Sequence, residues 1–522
     1  MKKNIKTKKG SALVYGLIIM TAVTILLTSI LTYISSQIKY SLKVHTREQT
    51  FQIAESGISF YRWYLAHQAE GRTAQQLATF WSSGSPYGVG GAYTWVYDDP
   101  FGSAIGEYSI TVIPPEVGST IVQVTSVGAT YKNPTDTRTL TVRFRRPSWS
   151  ENAALANDFM RFGKGTEVFG KIMSNKGIRF DGLAHNIVSS AVNTFDDPDH
   201  TGASEFGVHT HKNIPPTSGA NNAFRPAEAP NSAVALRPDV FEAGRSFPIP
   251  AVDFNGVLGD LSLMKSEAQA GRGTYFDNSG VGREITLKTD GTFDVCTVKT
   301  YSVYVDGTHG TNQPLNYLGI VSGASGSSAG TNGNPCDVAT CCTSSTCPWI
   351  QSSKHSRGKC ISKSNQPLVQ NGVIFVEDNV WVSGQIDNKR ITIAAADLIS
   401  GSLPSLYVMN NLLYTNYTGT DIIGLIGQRN VDIPRDSATT LRIDGALLAQ
   451  QGRVGRAFYS GLVKSSITIY GALATNLRYG FAYTNGTGYT TRNLYYDNNL
   501  LYYPPPYFPT GTQYQMDLWE EN

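Results

Sequence analysis

Two groups of residues in this 522-residue chain have the types and spacing for chemistry, one at a metal and one at sulfur. Asp196, Asp197, Asp199, His200, His209 and His211 lie close together around Gly202 and Gly207. Imidazole and carboxylate are ordinary ligands of divalent ions, so this stretch is a candidate calcium or zinc site, and spacing alone does not choose between the two. The competing reading is a solvated loop, where the same residues are common. The second group is six cysteines: Cys296, then Cys336, Cys341, Cys342, Cys347 and Cys360 within 25 residues. Outside the cytoplasm an even number of cysteines suggests up to three disulfides, with fifteen connectivities open. Zinc fits these cysteines less well, because paired Cys-x-x-Cys motifs are lacking and His355 is the only local histidine. The surrounding insert, about 322–363, is too rich in Gly, Ser and Thr to build a core, so disulfides are the expected staple.

Catalytic motifs are sparse. No nucleophile-elbow Gly-x-Ser-x-Gly, His-Glu-x-x-His, phosphate-binding loop or dinucleotide glycine pattern stands out. Asp421, Asp432, Asp436 and Asp444 are candidates for polysaccharide cleavage along one face of a β domain. Turn formation is the preferred explanation for them, and the expectation is a protein without enzymatic activity or a resident cofactor beyond a calcium or zinc ion.

The elements that must position these residues start at the N-terminus. Five lysines lie in Met1–Gly10, and Ser11–Ile38 is then a charge-free, proline-free run of 28 residues. That length exceeds the roughly 20 residues that span a ~30 Å hydrocarbon core. The lysines are expected to stay cytoplasmic, leaving the remainder outside. A secretory signal has a shorter apolar core, about 7–15 residues, followed by its cleavage site. Here the only small-residue junction beside the lysines, Gly10-Ser11, precedes the apolar run. The helical period continues past the run through Phe51, Ala54, Ile58, Tyr61 and Leu65. Residues 11–68 therefore read as one helix about 87 Å long, its first half apolar all round and its second half packed on a head.

The segment Lys8-Lys9-Gly10 followed by Ser11-Ala12-Leu13-Val14, together with Phe51-Gln52-Ile53-Ala54-Glu55-Ser56-Gly57, resembles the type IV pilin family. The resemblance covers residues 8–60. It implies cleavage by a prepilin peptidase between Gly10 and Ser11, and it marks Ala54, Glu55 and Gly57 as a motif of the family's first helix. Major pilins have Phe as first mature residue and Glu as fifth; here these are Ser11 and Tyr15. The departure is similar to the PilX class of minor pilins and to the large tip pseudopilin of type II secretion. The implied function is a minor, tip-located pilus subunit displaying a large extracellular β domain for filament assembly or adhesion. A pilin-anchored polysaccharide-active enzyme and a type II secretion tip pseudopilin are the alternatives. Implied partners are other pilins of the filament, the peptidase, the inner membrane before assembly, and a surface polysaccharide or cell receptor. The implied location is single-pass in the cytoplasmic membrane, then an extracellular filament.

Beyond the helix, alternation over 92–147 predicts an antiparallel sheet with strands at Glu107–Ile113, Thr120–Val127 and Arg138–Phe144. Residues 148–370 read as a β-rich region with long loops. Residues 371–510 read as a β-solenoid with strands spaced about ten residues apart and a Tyr/Pro-rich cap over its last rung. The fold class is thus an α+β pilin-like module followed by a mainly-β, solenoid-like domain. Removing the five leader lysines leaves 38 basic residues against 40 acidic, a net of −2, so a nucleic-acid partner has little electrostatic support.

Overall fold

The computed structural model describes residues 11–521, except 73, 117–118, 200–203, 213–232, 255–256, 280–281, 299–303, 306–311, 314–350, 353–354, 357–359, 435–436, 460 and 512. The first helix, α1, is Ser11–Gln68, as the period predicts. Its apolar side chains from Leu13 to Val44 are exposed. Hydroxyls in this stretch turn inward: Thr24, Thr28 and Thr32 donate to the carbonyls of Met20, Thr24 and Thr28 at 2.6–2.7 Å. These internal bonds leave few polar groups needing an outside partner. From Thr50 onward the helix acquires a buried face. Ala54, Ile58, Tyr61 and Leu65 are buried as expected, Ile53 joins them, and Phe51 is half-buried.

That face lies on an antiparallel meander of β1 (Tyr93–Asp98), β2 (Ala104–Ile113), β3 (Ile121–Thr130) and β4 (Asn133–Arg145). Two of the expected strands fall inside β2 and β4, and the third, Thr120–Val127, matches β3 but starts one residue early. Tyr108, Ile110 and Val112 on β2, and Leu140, Val142 and Phe144 on β4, point at the helix and are buried. Glycine sets the approach. A Cβ on Gly57 would lie 2.3 Å from Ser126 Oγ, and one on Gly128 would lie 2.4 Å from Thr50 O. Helix and sheet backbones meet there because neither residue carries a side chain.

A fifth strand changes the expected order of modules. Gln515–Glu521, at the far end of the chain, pairs antiparallel with β4 from Gln515↔Arg145 to Glu521↔Leu140. Arg143 binds Asp517 bidentately at 2.9 and 3.1 Å, and Arg145 Nε reaches the same carboxylate at 3.1 Å. The β domain does not simply follow the N-terminal module. It is inserted between two neighbouring strands of that module's sheet.

Within the insertion, short strands stack as parallel ladders. One ladder runs Gly273–Phe276, Gly372–Val376, Arg390–Ala395, Ile422–Gly427, the second half of Thr440–Ala449, then the end of Val463–Thr475. A second runs Gly282–Leu287, Asn379–Ile386, Leu406–Tyr414 and Val431–Ile433. Successive strands thus alternate between ladders, and the ten-residue spacing corresponds to half a turn. Ile374, Val382, Ile393, Leu425, Leu447 and Leu473 fill the space between.

The two expected regions, 148–370 and 371–510, are one stack. Leu473–Thr475 pairs in parallel with Ala154–Ala156, which pairs with Ile172–Ser174 and then Val188–Ser190. Gly488–Tyr496 likewise continues into Thr166–Phe169. A run of side-chain amides crosses the joint: Asn175 donates to Asn157, and Asn157 donates to Asn476, both at 2.8 Å. The chain therefore joins the stack in its middle. The helix Val257–Gln269 lies in the chain between Arg245–Ser246 and Gly273–Phe276, the strands that end the run of parallel pairings, and buries Leu261 and Met264 in a cluster with Phe375 and Ala394.

The Tyr/Pro segment does not cap a last rung, because Thr166–Phe169 already covers it. It runs along the flank instead. Thr392 Oγ1 donates to Pro506 O, Tyr507 OH donates to Glu267 at 2.9 Å, and Trp149 N donates to Pro509 O at 3.0 Å. It leads the chain back to β4. Cys296 is buried on Thr292–Val298; the other five cysteine side chains lie outside the described residues, so no disulfide pair is described.

The acids weighed for catalysis serve the ladders. Asp421 accepts the backbone N–H groups of Lys389, Thr415 and Asn416 at 2.7–3.1 Å. Asp444 accepts Tyr414 N, Tyr417 OH and Arg442 Nε at 2.7–3.1 Å. Asp436 lies outside the described residues. Asp432 is different: it is buried, and its Oδ1 has no hydrogen-bond partner. Burial pushes its carboxyl up to about 6, against the pull of Arg453. The folded state then holds a proton that the unfolded state, near 3.9, has released. Stability is lost as pH rises from about 4 to 6, by on the order of 3 kcal/mol. Asp432→Asn should therefore unfold at higher urea concentration than wild type at pH 7.5 and show no such advantage at pH 4.

Candidate metal centre

The stretch that holds the Asp/His group folds as an excursion beside a third ladder. Met160–Phe162, Ile178–Phe180 and Val208–His209 pair in parallel. Thr194–Phe195 pairs antiparallel with Glu205–Phe206, so the chain doubles back before joining that ladder. Gly207 makes the change of direction, and a Cβ there would lie 1.9 Å from Val192 O. Glu205, Gly207, His209 and His211 alternate along this extended run, which puts them on one side. The missing side chain at Gly207 lets this run pass close against the backbone of Val192.

The result is a buried cluster. One donor atom from each of Asp197, Glu205, His209 and His211 lies within 4.8 Å of the others, and the four residues are at most 2% exposed. His209 Nε2 is 2.9 Å from Glu205 Oε2 and 3.7 Å from Asp197 Oδ2. His211 Nε2 is 2.9 Å from Glu205 Oε2 and 3.0 Å from Oε1. His209 Nδ1 lies 3.0 Å from Phe206 O, a bond that places a proton on Nδ1 and turns Nε2 toward the carboxylates.

A layer of further bonds holds these groups. Arg179 is buried and donates to Asp181 Oδ2 at 2.8 Å and to Asp197 Oδ2 at 3.4 Å. Asp181 Oδ1 accepts the backbone N–H of His211 at 2.7 Å. Asp197 Oδ1 accepts the N–H of Asp199 at 2.9 Å. In the metal-free cluster burial opposes every charge, yet the opposite charges win. The His209 imidazolium and the Asp199 N–H hold Asp197 well below the usual carboxylate range. His209 and His211 pull Glu205 down to about 2, and the two carboxylates raise His209 to about 9.

Two imidazole nitrogens and two carboxylate oxygens suit a divalent transition ion. Calcium takes six to eight oxygens, and this donor set does not provide them. Of the six expected ligands the fold gathers Asp197, His209 and His211. Asp196 is exposed. Asp199 is turned to Arg161 and Arg478, at 3.1 and 2.7 Å. His200 lies outside the described residues. Glu205 was missed, although the alternation Glu205-x-Gly-x-His209-x-His211 is a visible signal for it.

The residues marked by resemblance to pilins are placed as follows. Gly10 is outside the described residues, and Ser11 opens α1. Tyr15 is exposed among the uncovered apolar side chains, Ala54 and Gly57 are buried against the sheet, and Glu55 is exposed.

No protein-family model and no curated protein matches the chain. Among solved structures it is similar to the competence-associated pilin ComZ from Thermus thermophilus. The identity is 12%, the match covers 91% of this chain and 97% of that one, and the TM-score is 0.27.

Arg179 carries the positive charge that faces both Asp181 and Asp197. Arg179→Met should cost about 3–5 kcal/mol in urea unfolding of the metal-free protein, because it leaves buried carboxylates without their cation. Arg161→Met, which removes the more exposed bridge to Asp199, should cost less than about 1 kcal/mol.

Proposed function

We propose that this chain is a minor, tip-located subunit of a type IV pilus, in which the inserted β domain makes surface contact. The observation that carries this reading is the division of α1 into two unlike halves. The apolar window near its start has a mean hydropathy of 2.3 and none of it is buried by the rest of the chain. The half beyond Thr50 is clamped to the sheet. α1 is long and apolar enough to cross a membrane, by length and composition. An uncovered apolar helix about 50 Å long needs either lipid or neighbouring helices around it. Storage in the cytoplasmic membrane followed by packing into an extracellular filament provides each in turn.

The tip position rests on Ser11 and Tyr15, which stand where a polymerising subunit would carry Phe and Glu. A domain inserted in the sheet and stacked as a β-solenoid gives a stiff extracellular body with no need for catalysis. Disulfides among Cys296 and the cluster from Cys336 to Cys360 fasten its longest insert. Other pilins, the prepilin peptidase, and a surface polysaccharide or cell receptor are the partners of this reading. A polysaccharide-active enzyme on the same stem, or a type II secretion tip subunit, would share the stem and differ in what the domain does.

The mature N-terminus tests the reading. Sequencing of the purified protein should begin at Ser11. Gly10→Leu should abolish processing while membrane insertion is retained, since the apolar run is unchanged. Recovery of Met1, or of an N-terminus beyond residue 35, refutes the assignment.

A further inference from the structure

We propose that Asp197, Glu205, His209 and His211 hold one structural zinc ion, which fastens the strands Thr194–Phe195 and Glu205–Phe206 to the ladder strand Ile178–Phe180. Four observations converge. The donor atoms approach within 4.8 Å of one another in a site that solvent does not reach. His209 Nε2 is buried with no aligned hydrogen bond, although Glu205 Oε2 is only 2.9 Å away. Its ring is already oriented by the Nδ1 contact to Phe206 O, as a ligating imidazole's usually is.

Charge is the fourth. With neutral imidazoles, Asp181, Asp197 and Glu205 bring three negative charges into the cluster and Arg179 brings one positive. One divalent ion neutralises the excess. A divalent ion there takes over the compensation that the His209 imidazolium gives the metal-free cluster.

The donor set chooses the metal and its role. Imidazole nitrogen excludes calcium and magnesium as preferred occupants, and a mixed nitrogen–oxygen set of four is an ordinary zinc shell. All four positions come from the protein and are enclosed. No open position remains for water or substrate, so the ion is structural and not catalytic. Its physical work is to join three separate backbone segments. Asp197 follows the strand Thr194–Phe195, Glu205 lies on the returning strand, and His209 enters the ladder on Ile178–Phe180. The strand pairings among those segments are each two residues long.

The test uses the full chain purified in detergent without chelator. Elemental analysis should find close to one zinc per chain. Chelation under mild denaturant, followed by removal of both, should lower the unfolding temperature. Zinc should restore it where calcium or magnesium does not. Cobalt(II) loaded in place of zinc should give the visible absorption of a tetrahedral site, a readout that does not depend on any variant folding. Glu205→Gln combined with His209→Gln should reduce bound zinc from one per chain to background. Absence of bound metal after incubation with excess zinc overturns the proposal. So does zinc retained in full by the double variant, a stoichiometric transition metal other than zinc, or an unfolding temperature unmoved by metal removal.

Discussion

Two strands that flank the inserted domain, β4 and Gln515–Glu521, are hydrogen-bonded side by side and locked by Asp517 between Arg143 and Arg145. This pairing dictates the path of everything between them. A domain whose two ends must meet at one sheet edge cannot coil steadily away from its anchor. The chain accordingly joins the parallel stack in the middle at Ala154–Ala156, runs to one end, crosses the flank with Val257–Gln269, and coils back from the other end. The Tyr/Pro segment closes the circuit. Proline is well suited to that task, because it has no backbone N–H that would need an acceptor against the ladder's side.

The same arrangement separates two surfaces with different solvents. The sheet covers α1 only from Thr50 onward, through contacts so close that Gly57 and Gly128 carry no side chain. Earlier residues are left apolar and bare. The inserted domain keeps its own apolar side chains inside the ladders, between Ile374 and Leu473 and their neighbours. A stem that must be covered by something else and a body that covers itself are what a filament subunit with a displayed domain requires.

Much of the stem was legible in the sequence. α1 announces itself through an unbroken period of three and four with no proline, and β2 to β4 through clean alternation such as Tyr108, Ile110 and Val112. The closing strand was not legible, since Gln515–Glu521 alternates weakly and its partner lies hundreds of residues away. The order of the stack was hidden for the same reason. Short runs such as Ala154–Ala156 and Ile172–Ser174 carry no sign of their neighbours, and parallel pairing between Leu473–Thr475 and Ala154–Ala156 is a tertiary fact. At the metal centre, composition pointed to the right stretch, while register decided the ligands. The returning strand Glu205–Phe206 brings in Glu205, and bonds to Arg161 and Arg478 draw Asp199 away.

The central claim is that the bare half of α1 packs among the helices of a filament. Shearing cells and separating the released filaments from the membrane fraction measures this directly. The account predicts that the chain appears in the sheared filaments together with the major pilin, and that a chain with charged residues substituted at Leu17 and Val23 stays out of them. A chain that remains wholly with the membranes of piliated cells would contradict it.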